Sequence, residues 1–203
     1  AAGFAARLLG FFNRVYLANL ISNAELGRYQ LIFPIFMFCM AVSCAGIQVA
    51  VSKMVAAYHG TGKKKAIRQT IKSAGIMSLI VALLSSGCVI AFSEPISRWI
   101  LKDISCRGYL VIMAIAIPFA AVHTCVGGYF YGIRHTAVPA VTQLLEQVVR
   151  VVTIYLLGAM MYQKGKIDAS VAVWGLAAGE IFSCFLTWIC YRFSIRSQNG
   201  GSG

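Results

Sequence analysis

Ala137-Val138-Pro139-Ala140-Val141-Thr142-Gln143-Leu144-Leu145-Glu146-Gln147-Val148-Val149-Arg150 opens an apolar run that continues to Met161, and its reading decides the fold. A bilayer-spanning helix needs about 20 predominantly apolar residues, which this run supplies. Yet it carries Glu146 and Arg150 one helical turn apart, flanked by Gln143 and Gln147. At about 100° per residue these four positions fall within an arc of roughly 100°, one polar stripe on an otherwise greasy helix. Ionised side chains at membrane depth are rare, costing roughly 2.5–3.5 kcal/mol each on insertion scales, so they face a cavity or a partner. Near the start, Arg7 and Arg14 lie two turns apart on a face shared with Gly3, Gly10 and Ala18. The chain has the signature of a membrane protein with a charged interior.

Composition agrees. Of 203 residues 59% are hydrophobic and only 12% charged, with a mean hydropathy of +0.77. A soluble domain carries about 25% charged residues. The net charge of +12 comes from 18 Lys and Arg against 6 acids. These cations gather in the segments between apolar runs, a pattern of membrane topology and anionic headgroups and not of nucleic-acid binding. The seven cysteines (39, 44, 88, 106, 125, 184 and 190) form no Cys-x-x-Cys pair and have no histidine at metal spacing, so neither a metal site nor a disulfide framework is expected. His59 and His135 fall in loops. His123 falls on an apolar helix, where it reads as a hydrogen-bonded interior residue rather than a proton carrier. No cofactor motif and no nucleophile–base arrangement of an enzyme stands out.

Six spans are expected, at about 3–21, 29–57, 73–93, 108–133, 137–162 and 169–191. Pro34 and Pro118 lie inside the second and fourth, where a proline kinks a helix; Pro139 lies in a first turn, where its missing N–H is harmless. Loop charge sets the orientation. Lys53, Lys63, Lys64, Lys65, Arg68, Lys72, Arg134, Arg192 and Arg196 fall on one side with no acid among them. The other side holds Arg28, Arg98, Lys102, Arg107, Lys164 and Lys166, mixed with Glu25, Glu94, Asp103 and Asp168. By the positive-inside rule both chain ends are cytoplasmic, residues 58–72 form a cytoplasmic linker leading into a short basic helix, and 93–108 hold an outer interfacial helix with Trp99. Residues 1–192 make one six-helix lobe and 193–203 a tail, whose Gly200-Gly201-Ser202-Gly203 resembles a flexible linker. Gly128 with Gly132, and Gly175 with Gly179, have the small-xxx-small spacing that lets helices approach closely.

Three arginines and two acids therefore sit at membrane depth. Arginine stays protonated and offers a planar fork suited to phosphate oxygens. The candidate cavity residues are Arg7, Arg14, Gln143, Glu146, Gln147, Arg150 and Glu180. For each a plainer role stands beside the functional one. Arg7 can snorkel to the interface. Arg14 can pair with Glu146 or Glu180, and Glu146 with Arg150 can be a bracing intrahelical pair. Glu180, the one charge of the last span, can be a buried acid bonded to a neighbouring helix.

Several stretches, taken together, resemble one family. They are Arg7-Leu8-Leu9-Gly10-Phe11-Phe12-Asn13-Arg14; Gly27-Arg28-Tyr29-Gln30 with Phe33-Pro34; and Ala45-Gly46-Ile47-Gln48-Val49-Ala50-Val51-Ser52-Lys53. Gly128-Tyr129-Phe130-Tyr131-Gly132 then leads to Pro139-Ala140, Gln143, Glu146-Gln147 and Arg150-Val151. They are similar to the stage V sporulation protein B group, in the polysaccharide-transporter branch of the multidrug/oligosaccharidyl-lipid/polysaccharide (MOP) flippase superfamily. Some relatives carry an arginine where this chain has Gly127. The resemblance implies an all-α integral membrane fold in which this chain is one lobe of a two-lobe, MATE-like flippase working by alternating access in the bacterial plasma membrane. It implies a lipid-linked sugar pyrophosphate as cargo, in polysaccharide, cell-wall or spore-envelope synthesis, with membrane lipids and a C-terminal lobe as partners. Two other readings stay open: a drug or cation antiporter of the same superfamily, and a non-transporting scaffold for envelope-assembly enzymes.

Overall fold

The computed structural model describes residues 2–162 and 167–200. Lys164 and Lys166 of the charge comparison, and 201–203 of the linker-like tail, lie outside the described residues. The described chain is helical: α1 (Ala2–Leu20), α2 (Asn23–Met40), α3 (Gly46–Gly60), α4 (Lys64–Ala91), α5 (Ser93–Pro95), α6 (Cys106–Gly132), α7 (Ala137–Tyr162) and α8 (Ser170–Gly200). Two π-helical stretches, Ala41–Ala45 and Ile96–Ile100, adjoin α2 and α5.

Five helices are long and apolar enough to cross a membrane: 23–60, 64–91, 106–132, 137–162 and 170–196. Their sequence expectations hold with shifted ends, and the shifts have local causes. The 23–60 helix starts six residues earlier than expected because Ser22 caps it, its Oγ accepting from the Glu25 backbone N–H at 3.3 Å. It passes through Ala41–Ala45 without a break, the π turn absorbing one register step inside a continuous helix. It ends at Gly62, whose φ of +70° suits a residue without Cβ, with Gly62 N–H bonded to His59 O and Lys63 N–H to Tyr58 O. The basic segment after this turn is not a separate short helix. It forms the first turns of the 28-residue α4. Residues 193–200, read as tail, extend α8. Among the described residues α1 is not one of the five apolar spans; it is 19 residues long and carries Arg7, Asn13, Arg14 and Asn19.

α6 is the central helix. Leu110, Met113, Ala114, Ala116, Ile117, Ala120 and Ala121 are wholly buried against α2, α4 and α8. By contrast Met77, Ile80, Leu84, Phe185 and Phe193 are exposed, as side chains facing lipid should be. Where the solvent is as apolar as the core, helix association relies on close packing and interhelical hydrogen bonds. Both are present. Ser86 Oγ donates to Ala114 O at 2.7 Å, and Ser78 Oγ to Ser43 O at 3.2 Å. The Gly-xxx-Gly pairs sit at helix crossings. A Cβ at Gly132 would lie 2.7 Å from Val55 Cβ and 2.8 Å from Ser52 O on α3, and one at Gly175 would lie 2.5 Å from Ile154 Cγ1 on α7.

The two ends of the bundle are tied differently. At the mixed-charge end Glu25 accepts from Tyr109 Oη at 3.0 Å, from the Ala169 backbone N–H at 2.9 Å and from Arg28, joining the starts of α2, α6 and α8. Arg28 Nε also donates to Asp103 at 2.6 Å, and with the Ser105 N–H it holds the Asp103 carboxyl below the usual range. At the basic end Tyr129 bonds Ser194 at 2.8 Å and stacks edge-on against Tyr191. Gly132→Ala should lower the thermal unfolding midpoint in detergent, at a cost of about 1–3 kcal/mol from overpacking. Gly87→Ala on α4, where a Cβ meets nothing within 4 Å, should leave it unchanged or raise it; equal behaviour of the two variants would contradict this packing.

Candidate functional site

Three helices bring one charged cluster together at membrane depth. α7 presents Glu146 and Arg150, α8 presents Glu180 and Ser183, and α6 presents His123. Gly179 makes the approach of α8 to α7 possible, since a Cβ there would lie 3.3 Å from both Cγ and O of Glu146. Arg150 Nη2 donates to Glu146 Oε1 at 2.6 Å and lies 3.4 Å from Glu180 Oε1. The second oxygen of Glu180 meets His123 Nε2 at 3.1 Å, and His123 Nδ1 meets Ser183 Oγ at 3.2 Å. Glu146 and Glu180 are 7% and 6% exposed, so neither carboxylate relies on bulk water. With Glu180 ionised, the neutral imidazole must carry its proton on Nε2, leaving Nδ1 to accept from the Ser183 hydroxyl.

A polar cavity of about 140 Å³ adjoins the cluster. Its walls include Gln48 from α3, His123 and Thr124 from α6, Thr142, Gln143 and Glu146 from α7, and Ser183 and Thr187 from α8. Tyr131, Val138 and Pro139 carry it toward the α6–α7 turn at the basic end. Two buried polar atoms, Thr187 Oγ1 in its wall and Arg150 Nε in the charged cluster, have no hydrogen-bond partner among the described residues.

The residues singled out from sequence divide into two groups. Glu146, Arg150 and Glu180 meet in the cluster, and the Glu146–Arg150 intrahelical pair is formed. Gln143 lines the cavity. Gln147 stands against α1, its Oε1 3.7 Å from where a Gly10 Cβ would lie. Arg7 and Arg14 are exposed on α1, and neither makes an ion pair among the described residues. Arg14 lies one turn from Gly10, whose Cβ position faces Gln147 of α7. His123 is the hydrogen-bonded interior residue expected, and its bonds link α6 to Glu180 and Ser183 of α8. Ser183 and Thr187 are absent from the sequence candidates, although Glu180, Ser183 and Thr187 at i, i+3 and i+7 form a stripe of the same kind as that of α7.

His123, Glu146 and Glu180 each offer a ligand atom within 4.8 Å of the others, so they could hold a cation. Arg150 already supplies positive charge to both carboxylates and would have to leave them first.

The profile of the polysaccharide biosynthesis protein family matches residues 1–200. The chain belongs to that family. It is 26% identical over 194 residues to stage V sporulation protein B of Bacillus subtilis strain 168, covering 95% of this chain and 38% of that protein. It is also 26% identical over 183 residues to the uncharacterized membrane protein YabM of the same organism, covering 88% and 32%. The chain thus spans less than two-fifths of the length of either relative. An outward-facing multidrug resistance MATE family transporter of the MOP superfamily shares the fold, with a TM-score of 0.69 at 15% identity, over 92% of this chain and 41% of that one. The chain is a multi-pass membrane protein of the polysaccharide biosynthesis family with a MATE-like helical fold.

Removing one partner of a buried charge cluster leaves the rest uncompensated, which typically costs about 3–5 kcal/mol. Arg150→Leu should therefore lower unfolding free energy in lipid–detergent micelles by that order, and adding Glu146→Gln should recover a substantial part. A double variant no more stable than Arg150→Leu would contradict the shared electrostatics of the pair.

Proposed function

We propose that this chain is the first lobe of a two-lobe flippase that moves a lipid-linked sugar pyrophosphate across the bacterial plasma membrane. α1 acts as its sixth span, with both ends of the lobe cytoplasmic. The observation that carries this reading is the arginine face of α1. Arg7 and Arg14 are exposed and free of ion pairs among the described residues, on a helix otherwise built for lipid or protein contact. An unpaired guanidinium too deep to snorkel to the interface requires either a water-filled cavity or an anionic ligand. One turn from Arg14, Gly10 faces Gln147 of α7, which offers space and a hydrogen-bonding amide.

Pyrophosphate oxygens fit this arrangement. Arg14 binds by bidentate charge-assisted hydrogen bonds, and the glutamines contact headgroup hydroxyls or phosphate. The polyprenyl tail stays in lipid along the exposed apolar faces of the bundle. A second lobe, related by pseudo-symmetry, closes the other wall of the cavity, and rocking of the two lobes exposes the headgroup to alternate sides. The lengths of the relatives support a larger whole, the family description supports polysaccharide synthesis, and the name of the Bacillus relative supports a role in sporulation. The Glu146–Arg150 pair holds the cavity-side stripe of α7 in register against α8.

A full-length Arg14→Ala protein that inserts normally should flip lipid-linked sugar at least roughly tenfold more slowly in vesicles, and Arg14→Lys should recover only part because the planar fork is gone. Undiminished flipping by Arg14→Ala would remove the arginine face from the mechanism. Binding of organic cations with no capture of a polyprenyl-pyrophosphate crosslinker would favour a drug antiporter instead.

A further inference from the structure

α2 and α4 each pack chiefly onto α6, and toward the mixed-charge end they leave a groove of about 700 Å³ between them. Its walls are apolar: Phe38 and Val42 from α2, Leu84 and Val89 from α4, Ile96 and Ile100 from the π stretch after α5. From Phe92 to Val81 the groove runs about 16 Å at 1.5 Å per residue. One leaflet of hydrocarbon, half of a core of roughly 30 Å, has about the same depth. Ser43 Oγ and Ser85 Oγ, 3.3 Å apart, tie the two helices near its inner end. A helix about 10 Å across and as long as the groove fills about 1,250 Å³, so it does not fit within the space. An acyl chain does, and acyl length is what sets the depth of a leaflet.

Lipid tails are as apolar as this lining, so a chain gains little by exchanging bilayer for groove. The headgroup must therefore decide which lipid stays, and the mouth of the groove is cationic. Arg98 Nη2 and Arg107 Nη1 lie 3.0 and 3.5 Å from the oxygens of Glu94, so two guanidinium groups share one acid. Both remain more than half exposed, at 62% and 57%. Arg98 lies between Ile96 and Ile100, so the stretch that walls the groove also carries a cation. Lys102, exposed, follows two residues after Ile100. Asp103, the other acid of this loop, is engaged by Arg28 Nε at 2.6 Å. Trp99, 82% exposed, is the kind of side chain that sits at headgroup level.

We propose that this groove and its cationic mouth bind one anionic glycerophospholipid of the leaflet at the mixed-charge end, an acyl chain lying between α2 and α4 and the phosphate meeting Arg98 and Arg107. The phosphate takes charge-assisted hydrogen bonds from the two guanidinium forks, which one carboxylate does not saturate. The chain fills the gap that α2 and α4 leave and joins two helices otherwise held together mainly by α6. Among the described residues none of α1 or α7 lines the groove, so the site stands apart from the α1 arginine face and does not rest on the identity of the cargo.

The test uses full-length protein in phosphatidylcholine nanodiscs doped with a probe phospholipid that carries a diazirine in one acyl chain, the photo-adducts being mapped by peptide mass spectrometry. Adducts on residues 81–100 should be roughly fivefold or more abundant with a phosphatidylglycerol probe than with a phosphatidylcholine probe of the same chains. Arg98→Gln combined with Arg107→Gln should bring the two probes within about twofold of each other there, with adducts at the basic end unchanged. Should that double variant fail to insert, Leu84→Trp serves in its place, since Leu84 is 65% exposed and a larger side chain there fills the groove. It should lower phosphatidylglycerol adducts on residues 34–42, and unchanged adducts would overturn the site. Equal labelling by both probes in the unmodified protein overturns it as well, because the groove then holds bulk lipid. A polyprenyl-phosphate probe that outcompetes phosphatidylglycerol on 81–100 overturns the phospholipid reading and gives the groove to a lipid carrier. Failure of every probe to label either segment, as when the rest of the full-length protein covers the groove, overturns it too.

Discussion

Glu180 is shared between a histidine on one helix and an arginine on another, and the inner half of the lobe depends on that sharing. Its two oxygens meet His123 Nε2 and Arg150 Nη2, at 3.1 and 3.4 Å. A carboxylate at this depth without partners would be several kcal/mol out of balance. The geometry that satisfies it fixes the rest. α8 must approach α7 closely enough for Arg150 to reach across, and Gly175 and Gly179 are the residues that permit it. α6 must present His123 on the same level, which places its buried small residues, Ala114 to Ala121, at the centre of the bundle.

Stripes and spacings were legible in the sequence because periodicity survives folding. The α7 stripe, the two Gly-xxx-Gly crossings and the five apolar spans follow from the helix repeat and from bilayer thickness. What escaped has a physical reason in each case. The 23–60 helix begins in polar residues, Glu25 and Arg28, that read as loop; they are helical because Ser22 caps them and because Tyr109, Asp103 and the Ala169 N–H satisfy their charges from far along the chain. The basic residues 64–72 also read as a separate element, yet they continue into α4 without a break because nothing there ends a helix. His123 looked ordinary because its partner lies 57 positions away. No local pattern announces a contact of that separation.

The bundle has two unlike ends. The Glu25 network binds three helix starts at the mixed-charge end, while at the basic end the polar cavity leads inward between α3, α6, α7 and α8. A lobe tied at one end and penetrated by polar space at the other has an asymmetry suited to exchange with one side of the membrane. α1 stands outside this tight core. It packs on α7 through Leu20 against Gly158 and Tyr16 near Tyr155, and presents its arginines outward. Exposed arginines on the outer helix and an ion-paired cluster within set the two polar regions of the lobe apart.

An experimental map of the full-length protein in lipid nanodiscs, at a resolution that shows side chains, tests the central arrangement most directly. Glu180 should lie within hydrogen-bonding distance of both His123 and Arg150, enclosed by α6, α7 and α8, with the arginine face of α1 turned away from lipid. Density placing Glu180 and Arg150 on separate surfaces toward the acyl chains, with His123 paired elsewhere, would contradict it.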